Sequence, residues 1–209
     1  MDPVKPQQLT PDIYREGLDW LGKKDKDLGG VLARFGPPPM WDREPGFATL
    51  IQIILEQQVS LASAKAAFER LLRVLPALTA EAFLELDDHR LKQIGFSRQK
   101  TRYARILAQK VATQQVKLGQ LSGLSDNEVR NELQKITGIG RWTADIYLLM
   151  ALRRPDIWPA GDLALVSAVQ QIKNLRNRPT AQEFNQLGEN WKPWRAVAAR
   201  ILWHHYLSN

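Results

Sequence analysis

Apolar positions in this chain recur at helical spacing almost from end to end. Leu50, Ile51, Ile54 and Leu55 form one stripe, and Tyr103, Ile106, Leu107 and Val111 a second. A third, Trp194, Val197, Ala198, Ile201 and Leu202, follows the i, i+3, i+4, i+7, i+8 spacing of one helix face. No segment alternates apolar and polar residues between turn signals, so strands are not required. Start signals agree with the periodicity. Thr10 precedes a first-turn Pro11, and Ser125-x-x-Glu128 and Thr180-x-x-Glu183 read as capping boxes. Stops fall at Gly36 with Pro37-Pro38-Pro39, at Gly95 and at Gly138. Helices are therefore expected near 11–22, 27–35, 46–57, 60–74, 80–86, 88–94, 98–114, 125–136, 141–151, 162–173, 180–189 and 192–207. The expected fold is all-α: a single domain over 1–209 with two helical lobes around a cleft. The chain would cross near the middle and return at the end.

Composition narrows the function classes. The chain has 209 residues and no cysteine, which excludes disulfides, thiolate zinc sites, iron–sulfur clusters and a Cys nucleophile. His89, His204 and His205 have no metal-ligand spacing, and an adjacent pair on a helix points in two directions. No apolar run approaches the ~20 residues of a membrane span. The opening MDPVKPQQLTPD lacks an apolar h-region, so a cytoplasmic protein is expected, nucleoid-associated if bacterial. The net charge of +7 favours a polyanionic partner. From His89 to Ser125 there is no acid, but the stretch carries Arg90, Lys92, Arg98, Lys100, Arg102, Arg105, Lys110 and Lys117. Such a run is either a solvated helix face or a phosphate-binding one.

Two local features carry candidate chemistry. The first is the turn Thr137-Gly138-Ile139-Gly140-Arg141 between two helical segments, a hairpin spanning about 125–151. Its glycines permit positive φ and close backbone approach. The second helix presents its unpaired N–H groups and dipole to whatever lies against the turn, which suits a phosphate oxygen. A purely structural helix–turn–helix would use the same glycines for capping and packing. The second feature is Asp162, which follows Pro159-Ala160-Gly161 at a helix start. It suits N-capping as well as chemistry.

The wider pattern LxxIxGIGxWTA, followed by PxxDLxL, resembles the helix-hairpin-helix DNA glycosylase superfamily, most closely its 3-methyladenine DNA glycosylase II branch. Ile53-Ile54-Leu55-Glu56-Gln57-Gln58-Val59-Ser60, Gly95-Phe96-Ser97-x-x-Lys100 and Trp191-Lys192-Pro193-Trp194-Arg195 match the branch in the same order. Together the motifs cover most of residues 45–205. The resemblance implies a base-excision repair enzyme that flips a damaged base out of duplex DNA and hydrolyses its N-glycosidic bond. Asp162 would be the catalytic residue. Gly138, Gly140, Thr143 and Arg141 would meet the DNA backbone, the first three through main-chain amides. The carbonyls of Gln134, Ile136 and Ile139 could hold a structural sodium or potassium ion, with no other cofactor required. Gln58, with Gln57 beside it, would be the wedge filling the gap left by the flipped base. The branch's type enzyme carries an N-terminal β-rich domain, for which too few residues precede the helical core here. Two positions depart from the family's habit: Glu56 stands where Gly is common, and Ile146 where an aromatic is sometimes found.

Alkylated purines are flat and cationic, so aromatic walls attract them. Trp142 and Trp191 are the first pocket candidates, with Phe47, Trp41 and Trp158 as alternatives. Trp194 fits the third stripe and is expected in the core. Asp145 could line the site or form a structural salt bridge. Superfamily members that also cut the strand carry a lysine where this chain has Trp142, and a Trp cannot form a Schiff base. A monofunctional glycosylase is therefore expected; the resemblance implies bases of the 3-methyladenine and 7-methylguanine type as substrates, and the absence of an exposed heptad or second interface pattern makes a monomer the expectation. A glycosylase for deaminated or etheno bases, and a non-catalytic DNA-binding module, are the alternatives.

Overall fold

Capping residues set the helix boundaries, and the computed structural model describes residues 8–208. Helices α1 (Pro11–Lys24), α2 (Lys26–Phe35), α3 (Phe47–Glu56), α4 (Leu61–Val74), α5 (Ala80–Leu84) and α6 (Asp88–Ile94) occupy the first half. They are followed by α7 (Arg98–Ala112), a 3-10 helix over Leu118–Gly123, α8 (Asp126–Gln134) and α9 (Arg141–Met150). The last three are α10 (Leu163–Ile172), α11 (Ala181–Glu189) and α12 (Arg195–Leu207). The described residues contain no strand. Thr10, Ser60, Thr79, Asp87, Ser97, Ser125 and Thr180 each accept a first-turn amide on their side chain. Both expected capping boxes are closed in both directions.

The 3-10 helix has no counterpart in the sequence reading. Its two glycines and short length give no periodicity, and one inward residue, Leu121, anchors it. The last helix starts at Arg195 rather than near 192. Pro193 has no N–H to donate, and residues 191–194 form a turn closed by Trp194 N–H on the Trp191 carbonyl.

The chain divides into two compact units, residues up to Asp42 together with those from Leu148 onward, and Arg43–Tyr147. In the first, α12 is the centre. Every residue from Ala196 to Trp203 is buried, so this helix is covered all round rather than on one stripe. Helices α1, α2 and α10 pack on it. A Cβ at Gly17 would lie 2.8 Å from the Trp194 ring, so only glycine lets α1 approach so closely.

Arg200 on α12 is fully buried and donates to the carbonyls of Met40 (2.6 Å), Ala196 (3.0 Å) and Leu149 (2.9 Å). Burial pulls its pKa down to about 10, which leaves it charged at neutral pH. Its guanidinium lies 5.9 Å from the Tyr14 ring, whose hydroxyl donates to the Pro38 carbonyl. Arg200 and Tyr14 thus hold the proline-rich segment after α2 from two sides.

In the second unit α3 is buried along most of its length and packs against α4 and α7. Phe47, Phe83 and Phe96 form a continuous aromatic contact beside it, with ring centroids 5.9 and 5.7 Å apart. Lys100 reaches the C-terminal end of α3 and donates to the Leu55 carbonyl at 2.6 Å. A cation suits that end of a helix.

Candidate functional site

The hairpin joins α8 to α9 through Lys135–Gly140. Asp145, fully buried on α9, ties the two helices together. It accepts from Arg130 of α8 at 2.6 Å and from Arg141 of its own helix at 3.0 Å. Of the two roles considered for Asp145, the geometry gives it the structural one. Gly138 alone of the two turn glycines has positive φ, at 95°. A Cβ there would fall 2.2 Å from Tyr103 of α7, so the Tyr103 ring lies flush on the turn. Gly140 keeps an ordinary φ, but a Cβ on it would meet nothing within 4 Å. Its face is open to an incoming backbone, and its carbonyl accepts the first helical bond of α9 from Ala144. Arg141 is exposed and Thr143 buried.

The α3–α4 turn holds the hairpin from the other side. Gln57 donates its amide nitrogen to the Gly138 carbonyl and to Thr143 Oγ1, each at 3.0 Å. It was expected beside the wedge, but this nitrogen is engaged with the hairpin. Gln58 is exposed and adopts φ 54°, a left-handed conformation that costs a non-glycine residue roughly 1–2 kcal/mol. A pocket of about 410 Å³ opens against the turn. Its walls are Gln57, Gln58, Gln99, Lys100, Tyr103, Gln134 and the turn residues Ile136–Gly140. The three residues whose carbonyls were considered for a cation all line it. Oxygen donors of this kind suit a hard monovalent ion. The Ile136 carbonyl also accepts the Ile139 N–H at 3.0 Å, which leaves it a second lone pair.

One of the two departures from the family's habit has a local cause. Glu56 accepts a two-pronged pair from Arg43 at 2.8 and 3.1 Å, which secures the segment entering α3 to its far end. Ile146 is buried in α9.

In the other unit Asp162 is buried and caps α10, with the Leu165 amide donating to Oδ1 at 3.0 Å. The indole N–H of Trp203, on α12, donates to the same oxygen at 3.3 Å. Two donors from different elements therefore fix the carboxylate's orientation. Trp203 was not singled out in the sequence. It lies 41 residues from Asp162, and its helical neighbourhood reads only as packing. Immediately after Asp162, Leu163 is 68% exposed, more than any other exposed large hydrophobic side chain described.

The aromatic candidates separate. Trp142 is half-buried at the start of α9, and Trp41 is half-buried with φ 47° and its ring 6.3 Å from His204. Trp191 is not a surface wall. It is 1% exposed, its ring sits edge-on 5.3 Å from Trp158, and its N–H donates to Asp25 at 2.9 Å. Lys173 completes that cluster with 2.8 Å bonds to both Asp25 oxygens. Trp158, stacked on Phe184, and Phe47, packed on Phe83, are also core residues, as is Trp194. Among the described residues no cluster of three or more His, Asp or Glu side chains could bind a metal.

An open glycine turn braced by a neighbouring helix, together with a capped and oriented carboxylate, defines a recognisable class. The chain belongs to the HhH-GPD superfamily of base excision DNA repair proteins, whose family model matches residues 51–193. Within it the chain is similar to the alkylbase DNA glycosidase-like protein mag2 of Schizosaccharomyces pombe, at 26% identity over 91% of this chain and 92% of that one. DNA-3-methyladenine glycosylase 1 of the same yeast is 27% identical, over 92% of this chain and 85% of the relative. The solved structure of the S. pombe 3-methyladenine DNA glycosylase Mag1 in complex with abasic DNA superposes with a TM-score of 0.81. That match has 25% identity and covers 90% of this chain and 95% of that one.

Proposed function

We propose that this protein removes alkylated purines, of the 3-methyladenine and 7-methylguanine type, from duplex DNA by hydrolysing the N-glycosidic bond of a flipped-out nucleotide. The observation that carries this reading is the buried Asp162 carboxylate, oriented by the Trp203 indole and the Leu165 amide. As the glycosidic bond stretches, positive charge builds on the sugar. A fixed carboxylate stabilises that charge without reorganising during the reaction. Water then adds to the sugar carbon and gives up its proton, for which Asp162 is the acceptor. The bonding electrons leave with the base. An alkylated purine starts out positively charged and departs neutral, so no second acid is needed.

The remaining roles follow the residues already placed. Main-chain amides around Gly138, Gly140 and Thr143 bind a backbone phosphate, with Arg141 beside them. Gln58 fills the gap in the stack, and Trp142 and Trp41 supply aromatic surface to the base. A sodium or potassium ion on the carbonyls of Gln134, Ile136 and Ile139 would stiffen the turn. The protein acts as a monomer, and the chemistry stops at an abasic site because Trp142 cannot form a Schiff base. The names of the relatives support the substrate class.

The test is a duplex containing 7-methylguanine or 3-methyladenine. Wild-type protein releases free base and leaves a strand that breaks only on alkali treatment. Asp162→Asn binds the duplex but releases no base. Base release by a folded Asp162→Asn variant would end the catalytic assignment, and covalent trapping with borohydride would end the monofunctional one. Release confined to a deaminated or etheno base would move the substrate class.

A further inference from the structure

We propose that the exposed face of α7 bearing Arg98 and Arg102 is a second DNA-backbone contact, gripping phosphates beside the one held by the hairpin. The inference rests on the DNA-binding part of the proposed function and extends it to residues outside the hairpin.

The pocket at the hairpin is walled by the turn itself, by Gln57 and Gln58, and by the start of α7, where Gln99, Lys100 and Tyr103 line it. Tyr103 lies on Gly138 and receives a 2.7 Å hydrogen bond from Gln99 on its hydroxyl, so α7 and the turn are in direct register. A backbone lying in this pocket would therefore run along α7 as well as across the turn.

The cations of the acid-free stretch are not equivalent. Lys100 turns inward to the end of α3, and Arg105 pairs with Asp88 and the Leu86 carbonyl. Arg98 and Arg102 are exposed, and among the described residues neither forms a salt bridge. They lie four residues apart on one face, about 6 Å along the helix. Arg102 is three residues beyond the pocket-lining Gln99. A strand carries one phosphate per ~3.4 Å of duplex axis, so the pair can serve neighbouring charges. Arg98 sits in the first turn of α7, where the positive end of the helix dipole adds to its field.

The experiment measures binding to a duplex with a non-hydrolysable abasic analogue across a salt series. It compares wild type, Arg98→Ala, Arg102→Ala, the double variant and Lys23→Ala. Lys23 is an exposed cation on α1 and serves as the charge control. Each arginine substitution is expected to flatten the slope of log affinity against log salt by about 1, and the double variant by about 2. Single-turnover base release at saturating enzyme should match wild type. The Lys23→Ala slope should also match wild type. Unchanged slopes for both arginine variants, with wild type binding and releasing base, would overturn the inference and leave the proposed function standing. An equal loss in Lys23→Ala would overturn it in favour of a diffuse charge effect. Failure of wild type to bind DNA would remove both.

Discussion

Asp162 and Trp203 form a pair whose function neither residue reveals alone. An aspartate after Pro-Ala-Gly at a helix start is legible as a cap, and the motif around it makes it legible as a catalytic residue. A tryptophan in an apolar stretch has no such signature, because spacing reports burial and not where an indole N–H points. Trp203→Phe keeps an aromatic ring, removes the donor and, phenyl being smaller than indole, leaves a void. A hydrogen bond to a charged group contributes about 1.5–3 kcal/mol, so base release by the folded protein should slow roughly ten- to a hundredfold, on top of the fall in melting temperature that the void brings. Single-turnover kinetics alongside a thermal melt separate this from a packing defect. Trp191 shows the opposite failure of inference. Lying off the last helix's stripe, it read as available for a pocket, but the turn at residues 191–194 carries it into the core. Its substitution by Phe strips Asp25 of a donor and leaves a void, at about 2–4 kcal/mol. Urea unfolding should show that loss. Base release by the protein that remains folded should be normal.

Helix starts and stops were legible because Ser, Thr, Asp and Gly perform the caps themselves, and twelve helices lie near their expected bounds. What spacing could not show is how the hairpin is held, since its braces come from α7 and from the end of α3, 35 and 81 residues before Gly138. Those braces make the turn testable as a unit. Gly138→Ala meets two obstacles, the φ of 95° and the Tyr103 ring, and should lose more than about 2 kcal/mol together with most DNA affinity. In a Tyr103→Ala background the clash with the ring disappears, while the contact with the Cβ of residue 103 at 2.6 Å and the backbone part stay. The double-mutant cycle should therefore show a coupling of about 1 kcal/mol or more. Gln57→Ala removes the other brace and should weaken DNA binding more than it lowers the melting temperature.

Across the molecule, the cluster of Asp25, Asp27, Lys173 and Trp191 gives stability a particular pH dependence. Burial pushes the Asp25 carboxyl up, but the bonds from Lys173 and Trp191, the Lys173 charge and the Leu28 amide together hold it below the usual range. Its contribution is therefore full above the ordinary carboxylate value of about 3.9 and fades as pH falls through the lower folded value. Melting temperatures followed from pH 7 to 2 should drop in that acid window for wild type. The same drop should be much smaller in Asp25→Asn, which begins less stable. At the alkaline end the Lys173 ammonium, disfavoured by burial but raised on balance by the two aspartates, keeps its contribution until pH passes its elevated folded value. Arg200 joins more distant parts of the chain, with carbonyls from residues 40, 149 and 196 on one guanidinium. That bond set has a consequence for biosynthesis. The unit formed by Arg43–Tyr147 is continuous and can fold as it leaves the ribosome. Residues 8–42 emerge before that unit but find their central partner, α12, only after the whole of it has been made. Chains arrested before residue 195 should therefore be cleaved by protease within residues 8–42 and protected within 43–147.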